Sequence, residues 1–422
     1  MGLLSIKDLK ANMVLAEDVK DRSGRLLMTK GVVLTEKYLN ICRMWGVVEA
    51  YVEGATAEEV HTATLNDIDH ATIEAASENV KKRFSHTNMD HPAIQELARL
   101  SILRTAAGQK IDRDNFKEVY WFDEEIEKIE RARPLNIDST KFISGDTKLS
   151  TLPEIYRQIL DAISKPSSSA YDIENVINKD TNLAARLLKI VNSAFYSYPN
   201  KIDTISRAVN IVGTKQLSTL AMGVNIISMF KNIPPDIINM KMFWKHSILC
   251  GICARILAGY KNIQNTERMF VAGLLHDIGR LVLYNHMPKE SLYAVTSARK
   301  SHQLLYLAER DLFSVDHAAI GGQLLIKWQM PMSLEDMVQY HHDPDKSKNR
   351  VESFIVHLAD VMANAMGIGT SGERLVPPLN GEIWKQVGLT PNIFSLTIEQ
   401  ADRQLEDVFE MIYTDDKSLQ RK

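Results

Sequence analysis

Imidazole and carboxylate side chains cluster in the second half of this 422-residue chain. Eight of the twelve histidines lie between His246 and His357, and Asp277 directly follows His276. Histidine offers a neutral nitrogen and aspartate a hard anionic oxygen, a donor mixture that suits Mn, Fe or Zn in hydrolytic sites. The residue types therefore predict a metal centre, or the remnant of one. The candidate ligands are His246, His276, Asp277, His317, His341 and Asp360.

Predicted helices would hold two of these side chains in place. His246 falls in the first turns of one helix, so its ring would project from a rigid element. Asp360 ends the apolar stretch 355–360, where an unpaired carboxylate would be costly. A buried cation would remove that cost.

The adjacent pair His276 and Asp277 sets a condition on the backbone. Neighbouring residues in an ideal helix point about 100° apart, so both reach one ion only where the helix leaves regular geometry. We expect Gly279 to make that departure easy, and we expect one member of the pair to face the site.

A second set of imidazoles follows. His317 comes after Asp316 at a predicted helix start, and His341 or His342 ends another helix. Either position could serve a second ion or a leaving group. A bound ion of this kind lowers the pKa of its water to about 7, which is hydrolytic chemistry.

The remaining histidines and the cysteines are read as structural. His286, His302 and His357 are expected to be structural, and the four histidines before residue 100 to face solvent. Cys250 and Cys253 spell CxxC, but they lie in an apolar helical run without a second CxxC. Packing as small helix residues is the expectation.

Composition narrows the class of protein. With 45% hydrophobic and 24% charged residues, the chain can bury a large core in two or three domains. A net charge of -3 predicts no binding to nucleic acid or to an anionic membrane. No apolar run reaches eighteen residues and the start lacks a signal-peptide layout, so we expect a cytoplasmic protein without membrane insertion.

Changes of pattern divide the chain into three regions. Residues 1–54 read as a small β-rich amino-terminal domain, 55–135 as a helical connector interrupted at His91-Pro92, and 136–422 as a helical domain. The first region is predicted to contain strands at Met13–Ala16 and Arg25–Met28 around a turn at Asp21–Gly24, a helix at Glu36–Trp45 and a strand at Val47–Val52.

Capping signals indicate closely spaced helices in the third region. Asp180 and Thr204 are predicted to begin helices, Gly213 to end one, and Thr214 to begin the next. Such close succession predicts a compact helical bundle, and the fold class is mainly α.

Several stretches resemble the HDOD domain, the HD-related output domain of bacterial signalling proteins. They are Leu152-Pro153, the Asn192-Ser193 stretch from Lys179 to Tyr196, and Ile205 to Gly213, in order with the later His276-Asp277 segment. The resemblance covers about residues 140 to 370. It implies an HD-type all-helical bundle that acts downstream of sensory or second-messenger signals, usually without demonstrated catalysis.

The front of the chain, Ile6 to Gly31, looks like the small domain found ahead of HD-GYP cyclic-dinucleotide phosphodiesterases. That relative shares the His, His-Asp, His, His, Asp order and would assign all six candidate ligands. Two departures count against that enzyme. No Gly-Tyr-Pro follows His341-His342, and Arg280 replaces the usual Lys after His-Asp-x-Gly, a planar fork in place of a movable point charge.

Three functions remain open. The first is a signalling module, catalytically weak or inactive, that acts through a protein partner, with a retained Fe, Mn or Zn site and with homo-oligomers allowed. The second is a metal-dependent phosphohydrolase of a nucleotide or cyclic dinucleotide, in which Asp277 would bridge or orient and Arg280 would neutralise phosphate. The third is a purely structural core with leftover histidines.

Overall fold

The computed structural model describes residues 2–6, 8–20, 25–45, 47, 49–54, 69–108, 154–164, 169–193, 195–196, 201–230 and 233–413. Two compact units form: residues 1–110 with 385–400, and residues 111–384 with 401–422. The described chain is mainly helical, as the sequence predicts. Within these ranges, no helix has both the length and the apolar character needed to cross a bilayer.

Among the described residues, the first unit contains the strands and the first three helices. Strand β1 pairs antiparallel with β4, and β2 with β3. The elements are β1 (Gly2–Ser5), β2 (Val19–Lys20), β3 (Leu26–Met28), α1 (Glu36–Met44), β4 (Glu49–Val52), α2 (His70–Arg83) and α3 (Pro92–Ala106).

Part of the predicted strand pattern in this unit is wrong. Met13–Ala16 is no regular strand, because Val14 and Leu15 make only isolated bridges to Val33 and Val52. Strand β1, which the sequence analysis did not predict, pairs with β4 instead. The predicted turn at 21–24 lies outside the described residues.

The break at His91-Pro92 is present. Pro92 is the first residue of α3, where a missing N–H costs nothing. The His91 Nδ1 accepts a hydrogen bond from the Ala93 N–H at 3.2 Å and so caps the helix. The boundaries 54/55 and 135/136 stay predictions, since 55–68 and 109–153 are not described.

The second unit is a helical bundle that contains the candidate site. Its helices are α4 (Glu154–Ser164), α5 (Ala170–Asn178), α6 (Thr181–Val191), α7 (Ile205–Val212), α8 (Thr214–Ile226), α9 (Met240–Tyr260), α10 (Thr266–Leu275), α11 (Ile278–His286), α12 (Pro288–Ser301), α13 (Leu305–Phe313), α14 (His317–Lys327), α15 (Met332–Gln339) and α16 (Arg350–Met366). Two more, α17 (Gly381–Val387) and α18 (Ile393–Ile412), each run through both units.

The predicted helix ends in this unit are confirmed. Asp180 accepts from the Leu183 N–H at 2.9 Å to begin α6, and Thr204 accepts from the Arg207 N–H at 3.2 Å to begin α7. Gly213 ends α7 at a φ of 98°, a conformation that glycine adopts without a Cβ penalty.

Helix α9 packs against α10 and α16 at the centre of this bundle. Its close approach to α10 depends on small residues, because a Cβ on Gly273 would lie 2.7 Å from the Cys250 carbonyl oxygen. Trp244, Phe270 and Phe354 fill the surrounding core and are almost completely buried. Rigid helices therefore position the side chains described next.

Candidate metal centre

The structure brings all six candidate ligands together in one buried cluster. His246 lies on α9, His276 and Asp277 at the α10–α11 junction, and His317 at the start of α14. His341 follows the end of α15, and Asp360 lies on α16. Even the most exposed of them, Asp360, shows only 3% of its surface to solvent.

One group of donors surrounds the Oδ1 of Asp360. The Nε2 of His246 lies 3.3 Å from this oxygen and the Nε2 of His276 lies 3.5 Å from it. The Oδ2 of Asp277 is 3.6 Å and 3.1 Å from the same two nitrogens. Asn364 donates to the Asp360 Oδ1 at 2.7 Å and fixes this carboxylate.

A second group lies on the other side of Asp277. The Nε2 of His317 is 2.8 Å from the Asp277 Oδ1, 3.3 Å from the His341 Nε2 and 3.2 Å from the His342 Nε2. His342 is partly buried and stacks on the ring of Tyr306 at a centroid distance of 4.2 Å. Each oxygen of Asp277 therefore faces a separate group of imidazoles.

The outer nitrogens of three rings are anchored. The Nδ1 of His276 is 2.7 Å from the Gly273 carbonyl oxygen, and that of His341 is 2.7 Å from the Val338 carbonyl oxygen. The Nδ1 of His317 is 2.5 Å from the Glu309 carboxylate. When Nδ1 carries the proton, Nε2 is a bare acceptor, and this outer anchoring is typical of metal-binding histidines.

Bare nitrogens that face carboxylate oxygens repel them unless a proton or a cation lies between. The His276 Nε2 is buried and makes no hydrogen bond of acceptable geometry, although the Asp277 Oδ2 is 3.1 Å away. Asp277, Asp360 and Glu309, set against Arg280, carry an excess of two negative charges. One divalent cation would neutralise that excess, so the donor set fits a metal ion.

Without an ion, protons take over part of this role. Burial lowers the pKa of His276, but the Asp277 and Asp360 carboxylates outweigh it and raise the pKa to about 10. Burial would raise the pKa of Asp277, but Arg280, His276 and His317 hold it well below its usual range. Burial, together with repulsion by His276 and His317, lowers the pKa of His341 well below its usual range.

Arg280 is buried and donates to acceptors on three different residues. Its Nε donates to Glu309 at 3.1 Å, and its Nη1 donates to Asp277 at 3.3 Å and also to the Ser371 hydroxyl. The guanidinium is 2% exposed. In this arrangement Arg280 positions Asp277 and Glu309.

Two expectations about the adjacent pair are corrected. Helix α10 ends at Leu275 and α11 begins at Ile278, so Asp277 falls in the break at φ −96° and ψ 9°. This irregular step lets both side chains of the pair face the site, where one was expected. Gly279 is helical and does not make the break; its missing Cβ lets α11 approach the His317 carbonyl.

Two residues of the cluster were missed as site residues. Glu309 binds both His317 and Arg280, and no motif in the sequence indicated it. Cys250, read as a packing residue, places its Sγ 3.7 Å from the His246 Nε2 and belongs to a group that could hold an ion with His246, His276 and Asp360. Its position four residues after His246 was the available signal.

The other histidines lie away from the cluster or play supporting parts. His357 is buried, and its Nδ1 is 2.8 Å from the His341 carbonyl oxygen. His286 is half-buried, with Nδ1 2.9 Å from the Val282 oxygen. His70 and His86 face solvent, His91 is half-buried as a helix cap, and residue 61 is outside the described ranges.

The family comparison covers this bundle. Residues 149–344 match the HDOD domain family. The match includes five of the six candidate ligands, and Asp360 lies beyond its end. A protein of uncharacterised function from Treponema pallidum (strain Nichols) is 25% identical over 241 residues, which are 55% of this chain and 46% of that protein. The chain thus matches about half the length of this relative.

Solved structures share the fold. An HDOD domain protein of unknown function from Geobacter sulfurreducens is 22% identical, with a TM-score of 0.55, over 65% of this chain and 97% of that one. A candidate phosphohydrolase from Shewanella amazonensis SB2B is 20% identical, with a TM-score of 0.52, over 65% and 97%. A candidate signal transduction protein from Marinobacter aquaeolei VT8 is 19% identical, with a TM-score of 0.51, over 75% and 72%. At these identities the likeness shows the fold alone.

Proposed function

We propose that this chain is a cytoplasmic signal-transduction output module of the HDOD type. It acts through a protein partner, and a divalent transition metal in the buried cluster locks its bundle into the binding-competent shape. The supporting observation is the burial of six donors, four imidazoles and two carboxylates, that different parts of the bundle bring together. The burial of this cluster, with Arg280 already paired to Asp277 and Glu309, favours a structural ion over one that receives substrate.

The small amino-terminal unit belongs to the same proposal as an input domain. It has a separate apolar core that includes Leu4, Leu15, Leu34 and Val52. Its likeness to the domain ahead of HD-GYP phosphodiesterases suggests regulation by a second messenger. A cyclic dinucleotide that binds the folded chain should raise its melting temperature progressively as the ligand concentration rises above the dissociation constant.

Elemental analysis of the purified chain, expressed with Fe, Mn and Zn supplied, tests the metal. We expect at least one transition-metal ion per chain, and its loss in His276→Gln. The matched control is His286→Gln, which changes a half-buried histidine outside the cluster and should keep the metal. Wild-type protein that folds normally and retains no ion would refute the metal site.

A phosphohydrolase is the second candidate, and one observation favours it. Asp277 places one oxygen toward His246 and His276 and the other toward His317, which is the layout of a bridging carboxylate between two ions. Asp277 would bridge or orient, and Arg280 would have to leave its present acceptors to neutralise phosphate. Bound ions would supply Lewis acidity at the scissile phosphate.

Turnover separates the two candidates. The signalling proposal expects no hydrolysis of cyclic dinucleotides or nucleotides by the metal-loaded chain. Two ions per chain, together with turnover that disappears in His276→Gln and persists in His286→Gln, would transfer the conclusion to the phosphohydrolase.

A further inference from the structure

We propose that the Cys250 thiolate is a protein ligand of the ion held by His246, His276 and Asp360. The inference rests on the proposed metal site and adds to it a sulfur donor, which the pattern of histidines and aspartates does not contain. Cys250 is fully buried, so water does not compete for its sulfur.

The position of Cys250 on α9 directs its sulfur toward this ion. His246 and Cys250 are four residues apart, a spacing that puts side chains on the same helix face. The sulfur lies 3.7 Å from the His246 Nε2, and its ligand atom is within 4.8 Å of those of His276 and Asp360. The other recorded contact of the sulfur is a long one, 3.8 Å to the Ala359 carbonyl oxygen.

The distances match the edges of a tetrahedron. Metal–sulfur bonds of about 2.3 Å and metal–nitrogen bonds of about 2.0 to 2.1 Å place sulfur and nitrogen roughly 3.6 Å apart in tetrahedral geometry. Nitrogen and oxygen ligands come out roughly 3.4 Å apart by the same construction. The observed separations are 3.7 Å for Cys250 and His246, and 3.3 and 3.5 Å for the two histidines and Asp360.

An independent observation points to a ligand at the same place. The His276 Nε2 is buried, faces this group, and makes no hydrogen bond of acceptable geometry. Its Nδ1 is anchored to the Gly273 oxygen, so the lone pair of Nε2 is directed into the group. A cation bound by the four side chains would satisfy this nitrogen and the sulfur together.

A sulfur donor changes what the site can hold. On binding, the Cys250 S–H proton leaves to solvent and the sulfur lone pair forms the bond to the ion, with no change of oxidation state. Thiolate favours Zn²⁺ and other softer ions over Mn²⁺ or Mg²⁺. Four protein ligands also close the tetrahedron, as in structural zinc sites.

Cobalt substitution of the whole chain tests the sulfur directly. Co²⁺-loaded wild-type protein should show a near-ultraviolet sulfur-to-cobalt charge-transfer band, and Cys250→Ser should lose it. Cys253→Ser is the matched control, since Cys253 is buried on the same helix but lies outside the donor group. We expect Cys250→Ser to bind Co²⁺ at least about tenfold more weakly than the wild-type protein does, as measured by competition with a chelator.

The experiment distinguishes the absence of a sulfur ligand from the absence of the metal site itself. Wild-type protein that binds Co²⁺ without the band, or a band that persists in Cys250→Ser, refutes the sulfur ligand and leaves the proposed function standing. Wild-type protein that binds no Co²⁺ refutes both. If Cys250→Ser does not fold, the ¹¹³Cd chemical shift of Cd²⁺-loaded wild-type protein decides, because a sulfur ligand moves it far downfield of an all-nitrogen and oxygen site.

Discussion

Arg280 is a buried cation whose partners are all protein groups. It joins the carboxylate that faces both groups of imidazoles, Asp277, to the carboxylate that anchors His317, Glu309. The cost of burying a guanidinium is recovered only while these acceptors remain in place. Arg280 is therefore expected to stabilise the cluster by geometry as much as by charge.

Replacing Arg280 should unfold the bundle more easily. Arg280→Met leaves Asp277 and Glu309 without their cation, and we expect a loss of about 3 to 5 kcal/mol in the free energy of unfolding. Arg280→Lys keeps the positive charge but not the planar guanidinium, and it should lower the free energy of unfolding by less than Arg280→Met does. Urea denaturation measures both. Arg157→Met, which breaks an exposed ion pair with Glu154, is the control and should cost about 1 kcal/mol or less; equal losses at the two sites would contradict the assigned role of Arg280.

Glu309 determines which nitrogen of His317 faces inward. One of its oxygens accepts from the His317 backbone N–H at 3.0 Å and lies 2.5 Å from the ring Nδ1. Glu309→Gln should weaken ion binding at His317 about 10- to 100-fold, because such supporting carboxylates orient the ligand. Competition with a chelator measures this, and Glu335→Gln, a half-buried glutamate elsewhere, is the control. Unchanged affinity in Glu309→Gln would remove His317 from the ligand set.

The six donors could be predicted from residue type, because histidine and aspartate occur in this part of the sequence at predicted helix ends and on apolar helix faces. Glu309 could not be indicated, since its role arises only when α13 folds back against the start of α14. Cys250 carried a signal in its spacing from His246, but the same spacing is expected of any packed helix residue. The roles of Glu309 and Cys250 thus depend on contacts that form only when the chain folds.

At the scale of elements, the contact of α11 with α14 positions His317. A Cβ on Gly279 would lie 2.0 Å from the His317 carbonyl oxygen, far inside any real contact. Gly279→Ala should therefore push the helices apart, lower the free energy of unfolding by about 3 kcal/mol and weaken metal retention. Thermal denaturation and elemental analysis measure the two effects.

Gly259 is the matched control for this substitution. It is also helical, in α9, but an added Cβ there meets nothing within 4 Å. Gly259→Ala should leave metal content unchanged and stabilise the chain by about 0.5 kcal/mol through the lower entropy of the unfolded chain. A Gly279→Ala protein as stable as Gly259→Ala would show that close packing of α11 and α14 is not required.

Local signals predicted helix ends better than they predicted strands. Asp180, Thr204 and Asp316 cap helices as expected, because a cap depends on hydrogen bonds within three residues. Strand β1 escaped prediction because its pairing with β4 joins residues almost fifty positions apart. The sequence predicted that the helix must leave regular geometry at Asp277. It attributed this break to Gly279, which is the wrong residue.

At the scale of the whole molecule, buried charge links folding to protons and metal. Burial lowers the pKa of His276 and His317, but nearby carboxylates outweigh it and raise the two values to about 10 and about 9. In the unfolded chain both are near about 6.5. Between these unfolded and folded pKa values, the metal-free folded protein therefore binds more protons than the unfolded chain. The stability that these protons confer is complete below about pH 6.5 and is lost as the pH rises through the folded-state pKa values.

Metal reverses this dependence, because ligation requires an unprotonated Nε2 and so strengthens as pH rises. We expect the difference in melting temperature between metal-loaded and metal-free protein to widen steadily from about pH 6.5 to about pH 9. Paired thermal scans with and without chelator measure it. His276→Gln should flatten the alkaline decline of the metal-free protein, whereas His286→Gln should keep it. A difference that stays constant with pH would mean that the buried imidazoles neither hold extra protons nor exchange them for an ion.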